Sequence, residues 1–155
     1  MMGNKTLYID MDGTLVEFRH KDKVLISDWE DKKIFSNKKI CLSVINGIVL
    51  KIRKKEYPFD KVKEIYVVTQ VPYTNFKKHC KNKKETFDII QGVFKKQNIR
   101  LDGIVFVNIA ESKNKVDWIL KTGNIQNSIL IDDTHNLLYE FEKLGGAAYH
   151  VSSFL

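Results

Sequence analysis

Cysteine is scarce in this sequence. Only Cys41 and Cys80 are present, and they form neither a C-x-x-C pair nor the framework of a disulfide-rich scaffold. Such usage fits a reducing compartment, with both thiols read as core residues. Long apolar runs are missing too. None approaches the roughly 20 residues that a membrane-spanning helix needs. No signal-like apolar stretch precedes the first strand-like run. The expectation is a cytoplasmic protein without a membrane partner. Internal repeats and low-complexity linkers are also absent. Acidic residues are the minority charge, 19 against 26 Lys and Arg, for a net charge of +7. This excess is concentrated in Lys51-Ile52-Arg53-Lys54-Lys55 and in the run from Phe76 to Lys84. A basic surface beside an open site would attract phosphorylated or polyanionic partners. A solvated helix face is the plainer reading of each cluster.

What is present is an ordinary globular balance, 43% hydrophobic and 29% charged, over 155 residues. That length suits one domain with a real core. Apolar, β-branched runs near 6–10, 64–69, 103–107, 128–132 and 147–151 predict strands. Ile45, Ile48, Val49 and Ile52 recur at helical spacing within a helix expected near 38–55. Phe87, Ile90 and Phe94 mark a second helix. Leu137, Phe141 and Leu144 mark a third, stopped by Gly145-Gly146. Alternating strands and helices predict an α/β fold, with a parallel sheet and helices on both faces.

Four places carry chemistry, all at strand ends or just before a helix. Asp10 and Asp12 close the run Leu7-Tyr8-Ile9 and are followed by Gly13-Thr14. Residues two apart on a strand share a face, so both carboxylates can address one volume. Ligands of open α/β sheets bind at that edge. One aspartate can attack while the other shuttles a proton, with a divalent cation holding the charges. A calcium loop also begins Asp-x-Asp-Gly, but Val16 and Phe18 are not the oxygen ligands it needs next. Asp132-Asp133 end the run from Ser128 to Ile131. They suit one metal ligand with one supporting acid, or an N-cap at Asp133 or Thr134. Thr69 ends the run from Glu64 to Val68 and offers a hydroxyl for phosphate. Lys113, with Lys115 as its rival, precedes the amphipathic run from Val116 to Leu120. If both lysines were helical they would point about 200° apart.

In this order, the four sites resemble the haloacid dehalogenase-like (HAD) hydrolase superfamily over the whole chain. Asp10-Met11-Asp12-Gly13-Thr14 matches its first motif, Thr69 the second, Lys113 the third and Asp132-Asp133 the fourth. The resemblance implies a Rossmann-like fold with a five-stranded parallel sheet in a single domain, 1–155. It implies Asp10 as a nucleophile that becomes an aspartyl-phosphate, and Asp12 as general acid and base. In that resemblance, an aspartate at position 12 marks the phosphatase and phosphomutase branches, and the phosphatase branch is the expectation. Mg²⁺ would be held by Asp10, the backbone carbonyl of Asp12 and Asp133, with Asp132 in support. Hard oxygen ligands and a phosphate substrate suit Mg²⁺ independently. Thr14, Gln70 and Trp29 are the expected substrate contacts, and Phe35 is a second aromatic that could close over a base.

A flap or minimal cap is expected within about 13–37. The spacing from Asp12 to Thr69, and from Thr69 to Lys113, leaves no room for a large cap domain. The opening through Phe18 is similar to that of small 5′-deoxyribonucleotidases. The expected substrate is therefore a nucleotide or another small phosphomonoester. A nucleic-acid-end phosphatase, or a basic nucleic-acid-binding protein on the same fold, is the competing reading. An open site could also be completed by a second copy of the chain in a homo-oligomer.

Overall fold

In the computed structural model, residues 3–18 and 38–155 are described. Trp29, Phe35 and most of the expected flap lie outside these residues. Five strands form one fully parallel sheet. They are β1 (Lys5–Asp10), β4 (Val62–Val71), β5 (Gly103–Asn108), β6 (Ser128–Asp132) and β7 (Ala147–His150), in the order β5-β4-β1-β6-β7. Two short strands, β2 (Val16–Phe18) and β3 (Lys38–Ile40), pair antiparallel just after β1. Among the described residues, four helices connect these elements: α1 (Leu42–Arg53), α2 (Phe76–Lys96), α3 (Lys115–Thr122) and α4 (His135–Lys143). The five expected strands and their parallel arrangement are all present.

Strand β1 shows why the sheet is central. Its side chains alternate between two cores. Leu7 and Ile9 pack with Val44, Ile45, Ile48 and Val49 of α1, and with Phe87, Ile90 and Phe94 of α2. Tyr8 faces the other way, toward Val116 and Ile119 of α3 and Leu138 and Phe141 of α4. Both faces of the strand are covered, which is why it reads as a nearly continuous apolar run.

The sequence expectations differ from the structure at two boundaries. Residues 38–40 belong to the β2–β3 ladder rather than to a helix, because Lys38, Lys39 and Ile40 pair with Phe18, Glu17 and Val16. Thr69 does not end its strand. Gln70 and Val71 continue it, paired with Val107 and Asn108 of β5.

Strand order places the candidate site. From β1 the chain moves outward through β4 to β5, then returns to β6 on the other side of β1. The carboxyl ends of β1 and β6 therefore flank the switch point, where a crevice opens between diverging connections. Ile9 pairs with Ile131, so Asp10 and Asp132 follow side by side into that crevice.

The C-terminal 3-10 turn (Val151–Phe154) closes the first core by lying across α1. Gly47 permits this approach, since a Cβ there would stand 2.2 Å from the Phe154 carbonyl oxygen. Alanine in place of glycine ordinarily gains about 1 kcal/mol in a helix. Here the collision is with backbone, and overpacking of that kind costs about 1–3 kcal/mol. Gly47→Ala is therefore expected to lower the urea midpoint despite its better helix propensity. An unchanged or raised midpoint would show that the C-terminal turn yields freely.

Candidate active site

The turn after β1 builds the first wall of the site. The amides of Leu15 and Val16 both donate to the Met11 carbonyl at 3.0 Å, and the Gly13 amide donates to the Val16 carbonyl at 2.7 Å. This tight reversal needs a positive φ of 88° at Gly13, where L-residues are disfavoured. Space demands glycine as well. A Cβ at Gly13 would lie 2.1 Å from Asp133 Oδ2. The turn from β1 thus interlocks with the acid that follows β6.

Asp10 is buried and held from two sides. Thr14 Oγ1 donates to its Oδ2 at 3.0 Å, and Lys115 Nζ donates to its Oδ1. Lys115 also donates to Asp132 Oδ2 at 3.0 Å, while the Thr134 amide donates to Asp132 Oδ1 at 3.0 Å. Both Asp132 oxygens are therefore engaged by protein donors, and its side chain is fully buried. Asp133 is exposed, with a long 3.4 Å contact from Thr134 Oγ1. Asp10, Asp12, Thr69, Gln70, Asn114, Lys115, Asp133 and Thr134 line a cavity of about 430 Å³.

Charge in this cluster does not balance. Asp10, Asp132 and Asp133 carry three carboxylates around the single ammonium of Lys115. Burial pushes the Asp10 carboxyl well above its ordinary range, against the pull of Lys115; the Asp132 and Asp133 charges push it further up. Burial likewise raises Asp132, again opposed by Lys115. Burial alone would lower Lys115, but the charges of Asp10 and Asp132 outweigh it and hold the ammonium firmly protonated.

A hard divalent cation fits this donor set. One carboxylate oxygen from each of the three acids lies within 4.8 Å of the others. Oxygens on opposite sides of Mg²⁺ stand about 4.2 Å apart, twice the roughly 2.1 Å Mg–O distance. Asp133 is the acid with coordination capacity to spare, because Asp132 spends its oxygens on Lys115 and Thr134.

Lys113 does not reach Asp10; Lys115 does. The helix start decides between them. Asn114 caps α3, its side chain accepting from the Asp117 amide at 2.9 Å. Lys115 is then the first helical residue and faces inward, whereas Lys113 precedes the cap and is exposed. The Lys113 amide is tied to Asp117 Oδ2 at 2.9 Å. The pattern Asn114-x-x-Asp117 is a capping signature, and it carried enough information in the sequence to select Lys115.

Thr14 is also placed differently from expectation. It is fully buried and spends its hydroxyl proton on Asp10, so it orients the carboxylate rather than a substrate. Gln70 does line the cavity, with its side-chain oxygen accepting from the Lys115 amide at 3.3 Å. Trp29 lies outside the described residues.

Sequence reasoning missed Lys83 as a site residue. It stands within the basic run from Phe76 to Lys84, yet its side chain is only 1% exposed. Its Nζ donates to Asp12 Oδ2 and, at 2.8 Å, to Thr69 Oγ1. A signal was available. Continued backwards, the helical phase of Phe94, Ile90 and Phe87 falls on Lys83, and all four are buried.

Two outcomes follow from this geometry. Gly13→Ala is expected to displace Asp133 and to weaken Mg²⁺ or Mn²⁺ binding about tenfold, as altered support of a metal ligand commonly does. Calorimetric titration measures this, and an unchanged affinity removes Asp133 from the ligand set. Asp10→Asn tests the charge imbalance. A carboxyl raised on folding contributes stability at low pH, and that contribution is lost as pH rises through the raised value. At pH 7.5 without divalent cation, Asp10→Asn should therefore melt no lower than the wild type. A clear fall in melting temperature would mean that the Asp10–Lys115 pair outweighs the burial cost.

No protein-family model matches this sequence, and no curated protein is similar to it in sequence. Solved structures do share its fold. One chain of the Pnkp1/Rnl/Hen1 complex superposes with a TM-score of 0.55 at 14% identity, over 96% of this chain and 46% of that one. The present chain thus spans a little under half of that chain's length. The wild-type HAD family enzyme bt-2542 from Bacteroides thetaiotaomicron, in complex with magnesium and inorganic phosphate, gives a TM-score of 0.52 at 13% identity. That alignment covers 96% of this chain and 94% of the enzyme. The Rossmann-like fold of HAD enzymes is the fold of this chain.

Proposed function

We propose that this protein is a Mg²⁺-dependent phosphomonoester phosphatase of the HAD superfamily, folded as one domain and working through an aspartyl-phosphate on Asp10. The observation that carries the reading is the convergence of Asp10, Asp133 and buried Asp132 at the carboxyl ends of β1 and β6, with Lys115 paired to two of them. Structural cores seldom gather three acids around one lysine. A site that binds a cation and a phosphate has reason to.

The chain's own residues suffice to write the reaction. A carboxylate oxygen of Asp10 attacks phosphorus, and the bond from phosphorus to the ester oxygen breaks. The leaving oxygen takes a proton from Asp12. Water, giving its proton to Asp12, then attacks the same phosphorus. The Asp10–phosphate bond breaks, releasing inorganic phosphate and restoring the carboxylate. Lys115 holds Asp10 in place and opposes the negative charge gathering near it. Asp10, Asp133 and the Asp12 backbone carbonyl would hold Mg²⁺, with Asp132 in support, and the ion would supply the remaining positive charge that the phosphate requires.

The open cavity supports a small phosphomonoester, with nucleotides the leading class. Fold topology divides the two basic clusters. Helix α2 starts just after β4 leaves the site's edge of the sheet, so Lys77, Lys78 and Lys81 belong to that edge. The cluster from Lys51 to Lys55 comes at the end of α1, where the chain turns back to begin β4 at the opposite edge. Of these two clusters, the α2 lysines are the ones that favour the alternative reading as a nucleic-acid-end phosphatase. Cys41 and Cys80 are not joined by a disulfide, and a cytoplasmic setting is part of the proposal. Among the described residues no helix is long and apolar enough to cross a membrane.

With p-nitrophenyl phosphate, turnover is expected with Mg²⁺ and lost with EDTA. Asp10→Asn should abolish it in a folded protein. Lys115→Met should reduce kcat about 100-fold or more, the scale of losing a charge-stabilising donor, while Lys113→Met stays within about twofold. A wild-type protein inactive across nucleotides, sugar phosphates and phosphorylated oligonucleotides would overturn the reading. Nucleoside monophosphates are expected to give a higher kcat/KM than a 5′-phosphorylated oligonucleotide. The reverse preference, collapsing as salt rises, would identify nucleic-acid ends as the substrate.

A further inference from the structure

Lys83 is the largest fully buried side chain of the described residues that carries a charge, and the reaction above makes no use of it. Burying an ammonium is costly unless it is paired. On the solvent face of α2 a lysine would cost nothing, as exposed Lys77, Lys78, Lys81 and Lys84 illustrate. Position 83 instead shares the inward face with Phe87, Ile90 and Phe94, where a hydrophobic residue would continue the core.

Helix geometry explains where its charge goes. Side chains on a helix lean toward the N-terminus. Helix α2 begins at Phe76, close to the sheet edge that bears the site, so the long stem of Lys83 carries Nζ back toward that edge. There it meets Asp12, from the turn after β1, and Thr69, from β4. Asp12 and Thr69 both line the 430 Å³ cavity, whereas Lys83 lies behind them and contributes nothing to its lining.

We propose that Lys83 is a positioning residue that aims the Asp12 carboxylate and the Thr69 hydroxyl into the cavity, so that substrate phosphate meets both in fixed orientation. The inference rests on the phosphatase reading and extends it to a residue outside the cavity. An ammonium can only donate. By donating to Thr69 Oγ1 at 2.8 Å it occupies that oxygen from behind. The single Thr69 hydroxyl proton is then left to point forward, as a donor to a phosphate oxygen. The same ammonium pins Asp12 Oδ2, which fixes the rotation of the carboxylate two residues from the nucleophile. One side chain thereby couples β1, β4 and α2 at the point where the reacting groups must agree within a fraction of an ångström.

The test is a double-mutant cycle of Lys83→Met and Thr69→Val, assayed for p-nitrophenyl phosphate turnover and for competitive inhibition by inorganic phosphate. Each single variant is expected to raise the inhibition constant about tenfold and to lower kcat about 10- to 100-fold. The double variant should bind phosphate no more than about twofold worse than Lys83→Met alone, because Lys83 acts on phosphate through Thr69. Unfolding midpoints accompany each measurement. Lys83→Gln, which keeps a neutral donor, should recover part of the phosphate affinity. Independent, multiplicative losses of phosphate affinity would overturn the proposal, as would wild-type kinetics in Lys83→Met. Failure of both Lys83 variants to fold would make the residue structural and overturn it too. An inactive wild-type protein overturns the phosphatase reading and this inference together; an active one with multiplicative losses overturns this inference alone.

Discussion

The site depends on one electrostatic constraint: three carboxylates gathered together, two of them paired with one buried ammonium. Lys115 joins strand β1 to β6 by donating to both Asp10 and Asp132. Each of these acids is raised by burial, and Lys115 offsets only part of that cost. A cluster left at net negative charge in a low-dielectric crevice favours whatever brings positive charge. Cation binding and folding of this edge are therefore one energetic problem, which the apolar strands beneath must overcome. The sheet can do so because both of its faces are covered. Leu7 and Ile9 on one side, and Tyr8 on the other, hold β1 in place beneath the charges.

The remaining polar groups follow from that arrangement. Thr14 serves Asp10, Thr134 serves Asp132, and the cap of α3 turns Lys115 inward. Gly13 is a consequence of the same crowding. The turn must reverse at once to keep Asp12 over the site, and Asp133 occupies the space where a side chain would stand. Lys83 stands behind the opposite wall and donates to Asp12 and Thr69. The two buried lysines of the site divide the acids between them, Lys115 pairing with Asp10 and Asp132 and Lys83 with Asp12.

Lys83 and Lys115 also illustrate how local sequence can mislead. Lys83 sits among lysines that are solvated, so its neighbours argue for exposure. Only its phase relative to Phe87 and Ile90 argues for burial. Lys113 and Lys115 are two apart, and the choice between them turns on where a helix begins. That start was encoded by Asn114 and Asp117, whose polar side chains bond the local backbone. Burial phase and capping are readable in principle, but each required a comparison across several residues rather than recognition of one.

By itself the sequence determined the alternation of strands and helices, the parallel sheet, and the acids that end β1 and β6. These follow from short-range patterns, because apolar runs of strand length ending in acid specify a strand and its carboxyl edge. Tertiary structure alone decided which oxygens of those acids remain open. Asp132 and Asp133 are adjacent in sequence and identical in chemistry. They part only when the strand puts one against Lys115 and the Thr134 amide, and the other toward the cavity. It likewise decided that Lys83 reaches Asp12 and Thr69, that Thr14 faces Asp10, and that one basic cluster shares the site's edge while the other lies opposite. The physical reason is the same in each case. Charge and hydrogen-bonding capacity are properties of a residue type, but which partner receives them depends on strand order, helix direction and the close contact of segments far apart in the chain.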